Sequence, residues 1–198
     1  MDQIWEGIAR DAPEDALVDM CAALETEMEK SEAPQEEELL AVRAVRMLAH
    51  LAAGELDQAR HVWLRAEAKK GTIVGQAWAV TQAMWRSSWA EFHAAVQPSE
   101  WPAPAAPLLA RIVATARQAN VVLLARAYST IRLSDVATIF GMPEQETAAH
   151  VASLGWTVDA SDASFVVPSP VSNDDSLIGG DIDLLAKLTS HIGALEAQ

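Results

Sequence analysis

The sequence predicts a mainly α-helical protein in which a tetratricopeptide-like stack of helices is followed by a winged helix and a C-terminal helix. Three observations predict this class. Apolar residues recur every three or four positions over residues 34–131, which is the helical period. Residues 132–168 then change to short helices and an alternating pattern typical of a β-hairpin. A linker rich in Pro, Ser, Asn, Asp and Gly at residues 169–180 separates these regions from a last helical pattern at residues 181–198.

The charge balance restricts the classes of partner. The chain has 198 residues and a formal net charge of −14, and residues 1–33 form an acidic N-terminal segment. An acidic surface repels phosphate, so we expect neither a nucleic-acid partner nor a membrane partner. No uninterrupted apolar run reaches the roughly 18 residues of a membrane span, and residues 1–10 lack the features of a secretion signal. Cys21 is the single cysteine, which excludes an internal disulfide and favours a reducing compartment.

The helical region opens with one clear helical hairpin. Pro34 and the carboxylates at residues 36–38 favour a helix start, because acidic groups stabilise the positive end of the helix dipole. Gly54 is predicted to end this helix and Gly71 to end the next one. The pair resembles one tetratricopeptide unit, although an array is not evident. Further helices are predicted near Val74, after a capping box of Ser88 and Glu91, near Leu108 and near Val121.

The tryptophans are unusually frequent and concentrated. Six of the seven lie between Trp63 and Trp156, mostly at helix-face positions. Such residues can form an aromatic cage, but they more often serve as large core anchors between packed helices. We therefore expect them in the core.

The winged helix is predicted from two short helices and a hairpin. One helix ends at Gly141 and the next covers residues 143–154, which contain carboxylates but no Lys or Arg. A recognition helix of that charge favours protein contact over DNA binding. Alternating apolar residues flank a turn at residues 159–164 and predict a hairpin. The predicted partner interface on this hairpin consists of Val158, Phe165 and Val167.

The last helical pattern has a coiled-coil-like seam. Its apolar residues are separated by alternating steps of three and four positions. A lone helix of this length is only marginally stable in water, so it docks on its own domain or joins helices of other chains. The long linker favours other chains. The predicted interface residues are Ile182, Leu185, Leu188, Ile192 and Leu195.

Motifs for chemistry are absent from the sequence. The histidines lie far apart and form no metal-binding spacing, and there is no nucleophile elbow, dinucleotide fingerprint or Walker loop. Cys21 lies in an acidic, apolar stretch that disfavours a thiolate. We therefore predict no catalytic residue, no metal and no cofactor, and an enzyme without a sequence motif is the weakest alternative. The histidines are His50, His61, His93, His150 and His191.

Several short motifs over residues 56–167 follow the order and spacing of a known family. The motifs are Arg60-x-x-Trp63-x-Arg65, Trp78 with Gln82 and Trp85, Trp101, Ala127-Tyr128-Ser129-Thr130-Ile131, Phe140-Gly141-Met142-Pro143 and Leu154-Gly155-Trp156. With them the chain resembles the PCI domain family, within the group of small subunits of the COP-nine signalosome, the proteasome lid and translation initiation factor three. The resemblance is strongest to the signalosome group, subunit eight.

The resemblance implies a non-catalytic structural subunit of the signalosome, which removes the Nedd modifier from cullin-RING ubiquitin ligases. It implies that the winged helix contacts other PCI subunits, mainly subunit three, and that the last helix enters a shared helical bundle. It also implies a cytoplasmic and nuclear location. In that family the isopeptidase activity belongs to a different subunit with a zinc motif. The alternatives are a small PCI subunit of the lid or of the initiation factor and, less favoured, a winged-helix DNA-binding protein.

Overall fold

The chain forms a stack of helices followed by a small helix-and-sheet module. A computed structural model describes residues 2–30, 36–66, 71–97, 101–159, 162 and 164–169. This architecture confirms the mainly helical class. The helices are α1 (Asp2–Ala9), α2 (Glu14–Lys30), α3 (Glu36–Ala52), α4 (Leu56–Arg65), α5 (Ile73–Trp85), α6 (Trp89–Ala95), α7 (Ala106–Ala127), α8 (Leu133–Phe140) and α9 (Glu144–Ser153), and the strands are β1 (Ile131–Arg132), β2 (Thr157–Val158) and β3 (Phe165–Val167).

The acidic N-terminal segment contains two helices that belong to the main core. Ile4 of α1 and Leu17 of α2 are fully buried against the other helices. Arg111 of α7 fastens the turn between α1 and α2, since its Nη1 donates to the Ala12 carbonyl oxygen at 2.9 Å and its Nη2 pairs with Glu14. Several acidic side chains of this segment, such as Glu6, Asp15 and Asp19, are exposed on these helices, whereas Glu25 is buried.

Helix α3 occupies the centre of the stack. It is buried around most of its circumference and packs against α2, α4, α5 and α7, as expected for a helix enclosed by others. Gly54 has a φ of +81°, a left-handed conformation that favours glycine, and it turns the chain into α4. The amide of Glu55 donates to the His50 carbonyl oxygen at 2.8 Å across this turn. The hairpin predicted around Gly54 is therefore confirmed.

Paired charges join α2 to α3. Glu25 accepts from Arg43 Nε at 2.8 Å and from Arg46 Nη1 at 2.7 Å, and Glu29 accepts from Arg43 Nη2 at 2.7 Å. The side chains of Glu25 and Arg43 are only 7% and 10% exposed. Because both charges are shielded from water, either one would be costly to bury without the other. The pair therefore fixes the register of α2 on α3.

Helix α7 corrects the expectation of two helices beginning near Leu108 and Val121. It is continuous because no Pro or Gly interrupts it between Pro107 and its end at Ala127. Its first half contributes Ile112 to the main core, and its second half contributes Leu124 to a separate apolar cluster beneath the sheet. By length and composition α7 could also cross a membrane, a test that core helices pass as well.

A tight joint links the stack to the C-terminal module. The Nε2 of His93 on α6 donates to the Ile139 carbonyl oxygen at 2.9 Å, and the Nε of Arg117 on α7 donates to the Phe140 carbonyl oxygen at 2.8 Å. These are among the last carbonyls of α8, which would otherwise lack partners within the helix. Gly141, with a φ of +64°, follows directly and ends α8.

Two local predictions were wrong. Ser88 precedes α6, but its side chain makes no capping hydrogen bond, so the capping box with Glu91 does not form. The tryptophans are also not uniformly core residues. Trp101 and Trp156 are buried, and the Nε1 of Trp101 donates to the Ala95 carbonyl oxygen at 3.0 Å. Trp85, by contrast, is 51% exposed, because it lies at the C-terminal end of α5 on the outer side.

Candidate interaction surface

The predicted hairpin is part of a three-stranded antiparallel sheet. The strand order is β1-β3-β2, so the hairpin strand β3 is central. Ile131 and Val158 lie opposite Val166, while Arg132 lies opposite Phe165 and Thr157 opposite Val167. The two helices and the hairpin match the prediction, and β1 is an addition that the sequence did not reveal.

The inner face of the sheet is packed against α8 and α9. Val166 and Ile131 are buried together with Phe140, Val151 and Trp156. The ring of His150 meets Phe140 edge-on, with 5.6 Å between the ring centroids. This packing fixes one face of the sheet against the apolar cluster, so the other face points outwards.

The outer face carries two of the three predicted hairpin interface residues. Phe165 and Val167 are half-buried on this face, since residues two apart in a strand point the same way. The guanidinium carbon of Arg132 lies 5.8 Å from the centre of the Phe165 ring. We call the surface formed by Arg132, Thr157, Phe165 and Val167 the outer sheet face.

Val158 does not belong to the outer sheet face. It lies opposite Val166 and therefore on the other side of β2, where it is 51% exposed. The sequence pattern placed Val158 with Phe165 and Val167 because all three alternate with neighbours within their own strands. Only the register between β2 and β3 separates them.

The outer strands offer edges for pairing. Within the part of the chain that the structure describes, β1 and β2 each pair only with β3. Unpaired backbone groups on an edge strand can accept a further strand from another chain. Both strands are only two residues long, so an added strand would also need side-chain contacts.

The charge around the sheet is predominantly acidic. Glu144 and Glu146 are exposed in the first turn of α9. Asp162 accepts a hydrogen bond from the Ser164 amide at 2.9 Å, and this bond lowers the pKa of the Asp162 carboxyl. Exposed carboxylates repel phosphate, which disfavours a DNA-binding surface.

The predicted C-terminal interface lies outside the described residues. Ser169 is the last residue described, so Ile182, Leu185, Leu188, Ile192 and Leu195 remain a prediction from sequence. The linker at residues 169–180 lies outside them as well, apart from Ser169.

The described residues show structural uses for most candidate chemical groups. Burial raises the pKa of the Cys21 thiol to about 12, which keeps it protonated at neutral pH and agrees with the prediction that it is not a nucleophile. His50 Nδ1 lies 2.9 Å from Glu55 Oε2, and His93 is engaged in the joint. No group of three His, Cys, Asp or Glu side chains within the described ranges is arranged to hold a metal ion.

Comparison with known proteins finds one matching family model and several relatives that share the same name. A sequence model of the CSN8/PSMD8/EIF3K family matches residues 41–174. The COP9 signalosome complex subunit 8 of Arabidopsis thaliana is 28% identical over 157 residues, which cover 77% of this chain and 78% of that protein. The protein of the same name from Danio rerio is 25% identical over 184 residues, covering 91% and 96%, and that from Xenopus laevis is 25% identical over 150 residues, covering 74% and 76%.

Proposed function

The chain belongs to the CSN8/PSMD8/EIF3K family, and on that basis we propose that it is a structural, non-catalytic subunit of a COP9 signalosome. Relatives named as signalosome subunit 8 match most of the chain. The complex that the resemblance implies removes the Nedd modifier from cullin-RING ubiquitin ligases in the cytoplasm and nucleus. This chain contributes assembly rather than chemistry, since its sequence lacks a zinc motif of the isopeptidase type.

The outer sheet face is the observation that carries the proposal. It combines the half-buried apolar side chains Phe165 and Val167 with strand edges that make no further pairing among the described residues. We interpret α8, α9 and the sheet as a winged helix that pairs with the equivalent module of a neighbouring PCI subunit, in this family mainly subunit three. Edge pairing supplies backbone hydrogen bonds, and the apolar side chains supply specificity.

The C-terminal helix gives a second attachment. The seam of Ile182, Leu185, Leu188, Ile192 and Leu195 enters a helical bundle shared with other subunits. Burial of such a seam between helices stabilises them together, whereas a single helix of this length is marginal alone.

Two other readings are less favoured. The family also includes subunits of the proteasome lid and of translation initiation factor three, but the curated relatives described above carry the signalosome name. A winged-helix DNA-binding protein is opposed by the carboxylates Glu144 and Glu146 at the start of α9.

Affinity purification followed by mass spectrometry tests the proposal. The tagged chain should recover the other signalosome subunits in comparable amounts. Recovery of a proteasome-lid or initiation-factor set instead would contradict it.

A Leu188→Asp variant examined in the same way tests the C-terminal attachment. It should recover less of the complex, because a buried carboxylate without a partner is costly. Its thermal melt should remain that of the unaltered chain. A large fall in melting temperature would instead show that the helix packs on its own domain.

A further inference from the structure

A cleft with aromatic walls and positive charge lies between α4 and α5. It is lined by Arg60, Trp78, Gln82, Trp85 and Arg86, and its volume is about 320 Å³. We call it the arginine–tryptophan cleft. A volume of this size falls within the range of small-ligand pockets and can accept one aromatic side chain.

Aromatic contacts shape the walls of the cleft. Trp78 is stacked on Trp63, with 5.1 Å between ring centroids and 3° between the ring planes. The guanidinium carbon of Arg60 lies 5.8 Å from the centre of the Trp85 ring. Trp85 nevertheless remains half exposed, and a large exposed aromatic surface on a helix end is a typical feature of a binding site.

The positive charge of the cleft is not neutralised within the described part of the chain. Arg43, Arg46 and Arg111 all form ion pairs there, whereas Arg60 and Arg86 form none. Both are exposed on a chain whose net charge is −14. The cleft is therefore locally positive, because it carries two guanidinium groups without ion pairs, whereas the chain as a whole is negative.

Acidic groups lie on the other side of Trp85. A neighbouring recess is lined by Glu55, Asp57 and Trp85. Trp85 lines both recesses, with Arg60 and Arg86 in the cleft and Glu55 and Asp57 in its neighbour. Carboxylates of a ligand are therefore attracted by the lining of the cleft and repelled by that of the neighbouring recess.

We propose that the arginine–tryptophan cleft binds an acidic peptide segment of a partner protein that carries one aromatic side chain. Carboxylates pair with Arg60 and Arg86, because a guanidinium offers two parallel donors to a carboxylate. The aromatic ring enters the cleft against Trp78 and Trp85. The amide of Gln82 can bind the backbone of the peptide, since a side-chain amide both donates and accepts.

A peptide fits this surface better than a nucleic acid does. Arginine and tryptophan can also stack on bases, but phosphate binding needs a wider basic face than two guanidinium groups provide. The net charge of −14 repels a polyanion over its whole length, whereas a short acidic segment feels mainly the local arginines.

The cleft is separate from the outer sheet face. Trp63 and Trp78 pack against the main core, while the sheet packs against the apolar cluster that contains Phe140 and Val166. A peptide in the cleft therefore leaves the sheet available to a neighbouring subunit.

Fluorescence anisotropy of the full chain with a labelled peptide tests the proposal. The probe is a short peptide of alternating Asp and Glu with one central Phe. Binding should be saturable, weaken as salt is raised, and weaken about tenfold or more in Arg60→Glu. Arg86→Glu should act in the same direction and leaves α4 unaltered.

Two control variants test the recognition of charge and the recognition of the aromatic ring separately. Arg126→Glu reverses the charge of another exposed arginine, on α7, and should leave binding unchanged. Trp85→Ala should abolish the preference for the Phe peptide over the same peptide with Gly at its centre. Thermal melts of the arginine variants should match the unaltered chain, because those side chains are exposed, and a melt of Trp85→Ala checks that it remains folded.

Three outcomes would overturn the proposal. The first is the absence of saturable binding. The second is equal loss of binding in Arg60→Glu and Arg126→Glu, which would indicate only a general charge effect. The third is tighter binding of a single-stranded oligonucleotide than of the Phe peptide, which would assign the cleft to nucleic acid.

Discussion

Gly141 lies directly against the ring of His93: a Cβ at this glycine would come within 2.5 Å of His93 Cγ. Gly141 also has a φ of +64°, so both its conformation and its surroundings require glycine. The same histidine ring bonds the Ile139 carbonyl oxygen, and Arg117 bonds that of Phe140. The joint between the stack and the module is therefore closely packed as well as hydrogen-bonded.

Gly141→Ala should destabilise the protein more than Gly155→Ala. Both glycines have positive φ, which costs an alanine about 1–2 kcal/mol, but nothing lies within 4 Å of a Cβ at Gly155. The clash with His93 adds about 1–3 kcal/mol of the kind caused by overpacking. Denaturant unfolding of both variants measures the difference. Equal losses would show that the His93 ring moves aside freely.

Stability should decline as the pH falls below about 6.5, and His93 should account for part of the decline. Burial lowers the pKa of His93, and the nearby Arg117 lowers it further, against the opposing effect of the Ile139 carbonyl. The native protein therefore binds fewer protons than the unfolded chain in this range, so acid favours unfolding. Full stability is present above the unfolded pKa of about 6.5 and is lost as the pH falls towards the native pKa.

His93→Gln tests this assignment. Unfolding free energies measured at about pH 7.5 and about pH 5.5 should differ less in this variant than in the unaltered chain. His61→Gln replaces an exposed histidine and should keep the original difference. An unchanged pH dependence in His93→Gln would contradict the assignment.

Glu25→Gln should reduce the unfolding free energy by about 3–5 kcal/mol, because it leaves the buried Arg43 without its main partner. Glu6→Gln removes a carboxylate from the exposed pair with Arg10 and should cost about 0–1 kcal/mol. Denaturant unfolding at neutral pH compares the two. A loss in Glu25→Gln no larger than that in Glu6→Gln would show that water shields the α2–α3 pair.

The pKa of Glu25 is lowered by its arginine partners, whereas that of His93 is lowered mainly by burial. Burial alone would raise the pKa of Glu25, but hydrogen bonds and attraction from Arg43 and Arg46 outweigh it and lower the pKa. The contribution of this group to stability is therefore present above its unfolded pKa and is lost as the pH falls through the native pKa.

Replacing Phe165 and Val167 together with Glu should weaken recovery of the neighbouring PCI subunit, without unfolding the chain. Both residues point away from the core, so two added charges are tolerated by the fold but not by an apolar interface. Purification of the tagged variant with quantitative mass spectrometry measures the loss. Ala90→Glu, on an exposed position of α6, should recover the complex normally. Full recovery by the double variant would remove the outer sheet face from the interface.

The helical elements with strong local signals could be predicted from sequence. Gly54 and Gly141 were both expected to end helices, and both adopt left-handed conformations there. Strand β1 could not be predicted, since two residues show no periodicity and β1 forms only through its pairing with β3. The placement of Val158 failed for a related reason, because the face of a short strand depends on a register set by its partner.

The prediction of two helices where the structure has α7 reflects a change of partner. The apolar face at Leu109 and Ile112 points into the main core, whereas Val121 and Leu124 serve the cluster beneath the sheet. If all apolar residues are assumed to face one core, this change of face along α7 resembles a break between two helices. Similarly, Trp85 looks like a core anchor, although its position at the end of α5 leaves it on the surface.

The shared helix α7 also makes the two regions energetically dependent on one another. A chain cut between the helical region and the residues from 132 onwards would deprive the sheet of Val121 and Leu124, and would leave these side chains bare on the other fragment. The boundary that is visible in the arrangement of elements is thus no boundary for folding. Removal of either part should therefore lower the stability of the other, and in the full chain both should unfold in a single cooperative transition.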